Sequence, residues 1–108
     1  MLTNDTPINN GQTFTSAILT VPRSDIGYKI VGSVFTDKAG TIYIEQDYDK
    51  SKILSDAFDV SSSYSVTAND GSGFSEDIVA PYIRIRFSNT SGSNQNKFKL
   101  RANFIRQE

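Results

Sequence analysis

Residues 81–89 read Pro81-Tyr82-Ile83-Arg84-Ile85-Arg86-Phe87-Ser88-Asn89. Ile83, Ile85 and Phe87 alternate with Tyr82, Arg84, Arg86 and Ser88. Successive side chains of a strand point to opposite faces, so this is a strand with one apolar and one polar face. Pro81 holds Ala80 in extended backbone, at a strand start where its missing N–H matters least. The pattern recurs where Phe98, Leu100, Ala102 and Phe104 alternate with Lys97, Lys99, Arg101 and Asn103. Ile42, Ile44, Gln46 and Tyr48, opposite Thr41, Tyr43, Glu45 and Asp47, make a weaker third case. Tyr64, Val66 and Ala68 make a fourth, in a Ser-rich context. Residues 13–21 and 28–36 are apolar enough to be strands buried on both faces. Within the second, Gly32 marks a bulge or a close approach of another chain segment. No helical period is sustained, and only residues 49–57 could form a helix, of about one turn.

Turn residues punctuate these runs. Asn10-Gly11 opens the first strand, and Asp70-Gly71 with Gly73 breaks the chain before Phe74. Asp37-Lys38-Ala39-Gly40 suits a type I turn followed by a left-handed glycine. Residues 89–96 form a polar loop around Gly92. About eight short strands spaced this way predict an all-β fold, a single antiparallel β-sandwich of jelly-roll type. Ile83, Ile85, Phe87, Phe98, Leu100, Phe104, Ile42, Ile44, Val34 and Leu19 are expected to form much of its core. The polar residues 1–12 are expected to be a flexible arm, and residues 13–108 the domain.

A chain of 108 residues is one domain's length. Only 37% of it is hydrophobic, but 5 Tyr and 7 Phe argue against disorder. There is no Cys, His or Trp. Disulfides, thiolate catalysis, zinc-cysteine sites, Ser-His-Asp triads and His-metal sites are thereby excluded. No phosphate-binding glycine loop or nucleophile elbow is present. The expectation is a non-enzymatic module without a cofactor. The first residues carry neither a basic region nor an apolar stretch of signal-peptide length. No run approaches the roughly 20 apolar residues of a membrane helix. Synthesis in a cytoplasm without membrane insertion is therefore expected.

The net charge of −1 conceals an asymmetry. Residues 37–77 carry nine acids against Lys38, Lys50 and Lys52, whereas residues 78–106 carry six bases and no acid. If the two regular strands pair, Arg84, Arg86, Lys97, Lys99 and Arg101 make one basic patch. The simplest reading is a solvated face balanced by nearby acids. The sharper one is an interface, in which the acidic segment of one copy meets the basic face of another. Nucleic acid is not expected as a partner, because the isoelectric point is about 5.3 and few aromatics are interleaved with the bases.

Asp47-Tyr48-Asp49-Lys50-Ser51 starts like a calcium loop, but Lys52 and Phe58 stand where the EF-hand requires Gly and Glu. An irregular cation site from Asp47, Asp49, Asp56 or Asp59 stays open. Glu45 and Asp47 share a strand face at about 7 Å, a spacing that inverting glycosidases also use. Such pairs are common on strands and imply no chemistry alone. Tyr43, on the polar face of its strand, and Tyr48 and Tyr64, near strand ends, are candidate contacts for a sugar or a protein. Ordinary packing is the alternative for all three.

Two stretches resemble a known group of proteins. Residues 39–49 join a small-Gly turn to an alternating strand that ends Glu45-Gln46 before an acidic, Ser-containing loop. Residues 79–89, followed by Phe98-Lys99-Leu100-Arg101-Ala102, form the second. Together they resemble small all-β virion proteins of tailed bacteriophages and prophages, components of tail, fibre or head surface, over roughly residues 13–105. Tyr82-Ile83-Arg84-Ile85 is also similar to galactose-binding jelly rolls such as discoidin domains, whose disulfide and Trp-bearing loop this chain lacks. The resemblance implies a virion location and a structural role, as a tail or fibre adhesion module contacting the host surface. A capsid decoration or head-fibre protein is the alternative, and a carbohydrate-binding sandwich module a further one. It implies a homo-oligomer, with a trimer among the candidates. Its partners would be other virion proteins and a host cell-surface glycan or protein.

Overall fold

The computed structural model describes residues 2–22, 27–55 and 60–106. Nine strands and one short helix follow in the order β1 (Leu2–Asn4), β2 (Thr13–Thr15), β3 (Leu19–Thr20), β4 (Tyr28–Thr36), β5 (Gly40–Asp47), α1 (Lys50–Leu54), β6 (Val60–Val66), β7 (Ser72–Asp77), β8 (Tyr82–Asn89) and β9 (Phe98–Arg106). The first sheet has the order β1-β9-β4-β7. The second has β2-β8-β5-β6, with β3 also on β8. Every pairing is antiparallel.

The topology is a hairpin that is folded and then rolled. From β5–β6 outward, the two halves of the chain pair in nested fashion. Gly40 lies opposite Val66, Val34 opposite Ser72, Leu19 opposite Ile83, Phe14 opposite Phe87, and Leu2 opposite Ala102. Rolling the ribbon adds the pairs β4–β9 and β5–β8 and splits it into two packed sheets. That is the jelly-roll arrangement expected from the strand pattern.

The core between the sheets contains Ile30, Val34, Ile42, Ile44, Ile83, Ile85, Phe87, Phe98 and Leu100, with Leu19 and Phe104 half-buried against it. Phe87 and Phe98, from different sheets, meet edge-on at 5.1 Å. Gly32 is a site of close approach. A Cβ there would fall 2.5 Å from the Phe74 ring and 2.1 Å from the Arg101 carbonyl oxygen.

Four details differ from the sequence reading. Residues 13–21 form two short strands, because Ser16 interrupts the ladder. Its hydroxyl accepts the Ile85 N–H at 3.0 Å, in place of a backbone carbonyl. Thr13, Thr15 and Thr20 are exposed, so this edge is not buried on both faces. In β4 one face is largely buried and the other half-buried, with Ser33 exposed, instead of both being closed. Gly40 is not the left-handed end of a turn, since the positive-φ glycines are Gly11 and Gly92. It opens β5 because the Phe87 ring lies where its Cβ would be, 2.5 Å away. The segment expected as a flexible arm is tied into both sheets. Leu2–Asn4 pairs with β9, Ile8 is buried, and the Ile8 N–H donates to Gln95 Oε1 at 2.9 Å.

Candidate functional site

The basic residues fall on two different faces. Arg84 and Arg86 stand on β8 in the second sheet, and Lys97, Lys99 and Arg101 lie along β9 or at its start in the first. β8 and β9 do not pair, so the structure does not bring the five together. In its own sheet β8 sits beside β5, and β9 sits beside β4.

On β8 the bases have an internal partner. Glu45 is opposite Arg84 in the β5–β8 register, and it is completely buried. Its Oε1 accepts from Arg84 Nε at 2.7 Å, and its Oε2 accepts from Arg86 Nε at 2.8 Å. The Arg86 guanidinium also stacks over the Tyr43 ring, 4.9 Å from its centre. One acid, two bases and an aromatic thus share the outer face of the second sheet. The acidic segment meets the basic one here within a single chain. On β9, Arg101 holds Asp5 at 2.7 Å, and that hydrogen bond draws the Asp5 pKa down.

The three tyrosines also diverge. Tyr43 is half-buried under Arg86. Tyr64 lies inside β6, not near a strand end, and opposite Ile42, so it faces the core. Its hydroxyl donates to Glu76 Oε2, and the Ser62 hydroxyl donates to Glu76 Oε1 at 2.9 Å. This hydrogen bond, helped by burial and the Glu76 charge, pushes the Tyr64 pKa up to about 12. Tyr48 alone of the three is open, at 72% exposure.

The acids after β5 build local structure. Asp47 Oδ1 accepts the Asp49 N–H, and Asp49 is the N-cap of α1, accepting the Ser51 N–H at 3.0 Å and the Ser51 hydroxyl at 2.8 Å. The helix packs on β5 and β8, and its Ile53 is fully buried outside the main core. Asp56 and Asp59 lie outside the described residues. Among the described residues, no group of three or more acids is placed to hold a metal ion.

Two polar residues not singled out in the sequence join the structure at opposite ends. Gln46 bridges the sheets where β5 and β7 finish. Its Nε2 donates to the Asp77 carbonyl at 3.0 Å, and its Oε1 accepts the Val79 N–H at 2.9 Å. At the other end, Asn89 Nδ2 donates to the carbonyls of Ile8 and Ser93, both at 2.8 Å, while its Oδ1 accepts from Ser91. Both sit in phase with the apolar side of their strands, and that phase was the sequence signal for a buried polar brace.

The two ends of the sandwich differ in chemistry. At the Gln46 end lie all the large hydrophobic side chains that are exposed among the described residues: Tyr48, Leu54, Val60, Val79 and Ile105. They belong to the β5–β6 and β7–β8 connections and to the start of β6 and the end of β9. The Asn89 end is polar. Asp37 accepts the N–H groups of Asn96 and Lys97, and Asn69 N–H donates to the Thr36 carbonyl at 2.8 Å.

The described strands run from residue 2 to residue 106, and the family model described as "Uncharacterised protein YqxG N-terminal domain" matches residues 2–105. The chain belongs to the YqxG N-terminal domain family. The match thus takes in residues of all nine described strands. No curated protein matches the sequence significantly.

Proposed function

We infer that this chain is a non-enzymatic structural and adhesion module of a phage or prophage virion, working as a homo-oligomer. The observation that carries the reading is the difference between the ends. An end where exposed hydrophobic side chains collect among charged ones suits burial against another virion protein, because desolvating such side chains favours association. A polar end of knitted Ser, Asn and Gln loops suits display toward a host-surface glycan or protein. The resemblance of residues 39–49 and 79–102 to small virion proteins supports the same reading. The jelly roll adds an analogy of fold, since capsid and lectin domains use it. The ionisable groups support a passive role as well. Glu45, Asp5, Asp37 and Asp49 each hold a structural partner.

Particles purified from the producing cells provide the test. The domain should co-purify with them, and antibody-gold labelling should place it on the tail or fibre. Labelling of heads alone would favour the capsid-decoration alternative. Absence from purified particles, with all the protein in the soluble fraction, would remove the virion reading.

A further inference from the structure

We propose that the outer edge of β6 pairs antiparallel with β6 of a second copy, about a two-fold axis near Ser63. A sheet edge presents a row of backbone donors and acceptors, and natural proteins blunt such edges with brevity, interruption, charge or proline. Among the described residues the two sheets have four edges, and three are blunted. β1 has three residues. The β2–β3 edge is broken at Ser16. β7, Ser72–Asp77, contains Gly73 and ends in Glu76 and Asp77. β6 has seven residues, Val-Ser-Ser-Ser-Tyr-Ser-Val, without a charge, a glycine or a proline. Among the described residues, its only strand partner is β5.

A second copy is the occupant this edge fits. An isologous contact sets each residue against its own symmetry mate or a neighbour of it. With Ser63 at the centre, Val60 faces Val66, Ser61 faces Ser65, and Ser62 faces Tyr64. No like charges meet within the paired strands, and facing hydroxyls favour cross-strand pairing. Ser61, Ser63 and Ser65 are exposed on the outer face, so nothing in their packing opposes the approach.

This inference rests on the homo-oligomeric part of the reading above. Sedimentation of the whole chain over rising concentration should show a dimer insensitive to salt. Ser63→Lys, and Ser61→Lys combined with Ser65→Lys, should give monomers that melt like the parent. Ser63→Cys should cross-link to its copy under mild oxidant, whereas Ser93→Cys should not. A dimer that dissolves in salt and ignores the lysine variants overturns the β6 edge while leaving an oligomer held elsewhere. A monomer at every concentration overturns both the edge and the homo-oligomer. Neither result bears on particle association, which the labelling above reads separately.

Discussion

The Glu45 carboxylate accepts a 2.7 Å hydrogen bond from the Arg84 guanidinium across the β5–β8 boundary, on a face that strand alternation assigns to solvent. Arg86 closes over its second oxygen, and the acid is wholly buried. Removing one member of a buried ion pair leaves the other charge desolvated and unbalanced. Glu45→Gln should therefore destabilise the domain by about 3–5 kcal/mol in denaturant titration. Replacing Glu45 and Arg84 together by apolar residues should recover part of that loss. A loss in the double variant equal to the sum of the losses in the Glu45 and Arg84 single variants would show that the pair is not coupled.

Phe87 and Gly40 form a second pair whose fit is steric. Gly40→Ala would push a methyl group to within 2.5 Å of both the Phe87 ring and the Ser88 carbonyl oxygen. Overpacking of this kind costs about 1–3 kcal/mol. Phe87→Ala, which empties the same site, should cost about 3–5 kcal/mol. Gly71→Ala meets nothing within 4 Å and has no positive φ, so it should be neutral or slightly stabilising. Thermal melts of the three variants give the comparison.

Tyr64 provides an alkaline signature. Its pKa stands near 12 in the folded chain, above the ordinary value of 10. Its hydrogen bond to Glu76 thus adds stability that is full below pH 10 and fades as pH rises through about 12. Absorbance titration should show a tyrosine ionising near pH 12. Tyr64→Phe should abolish that late step and loosen the β6–β7 side.

The acid limb has the opposite sign. Desolvation is the largest influence on Asp37 and raises its pKa, but backbone hydrogen bonds from Lys97 and Asn96 together bring it below its ordinary 3.8. A depressed carboxyl stabilises the fold above its unfolded value and stops doing so as pH falls through the lowered one. Asp37→Asn should be less stable than the parent at neutral pH, with the gap closing in acid below 3.8. A gap that persists unchanged in acid would assign the effect to geometry and not to charge.

Alternation exposed the strands because both sheets bury one face, so β5, β8 and β9 and most of their core residues could be read directly. The pairing of β8 with β5, and of β9 with β4, could not. Period two tells which face a residue takes but not which strand lies beside it. For that reason the five bases read as one patch lie on two sheets. Residues 13–21 and Gly40 were misread for a related reason. The break at Ser16 and the role of Gly40 each depend on a distant neighbour, the Ile85 amide and the Phe87 ring, which local sequence does not name. The burial of Glu45 on an outer face follows from its two arginine partners and the helix packed nearby, which no period encodes.

Thiol labelling tests the assignment of the two ends most directly. The chain has no cysteine, so Tyr48→Cys and Ser93→Cys each introduce a single reactive group. Both thiols should react with a maleimide in the free domain. In purified particles the thiol at position 93 should still react, while that at position 48 should be protected. Equal labelling of both in the particle, or protection of position 93 alone, would contradict an apolar end that docks and a polar end that is displayed.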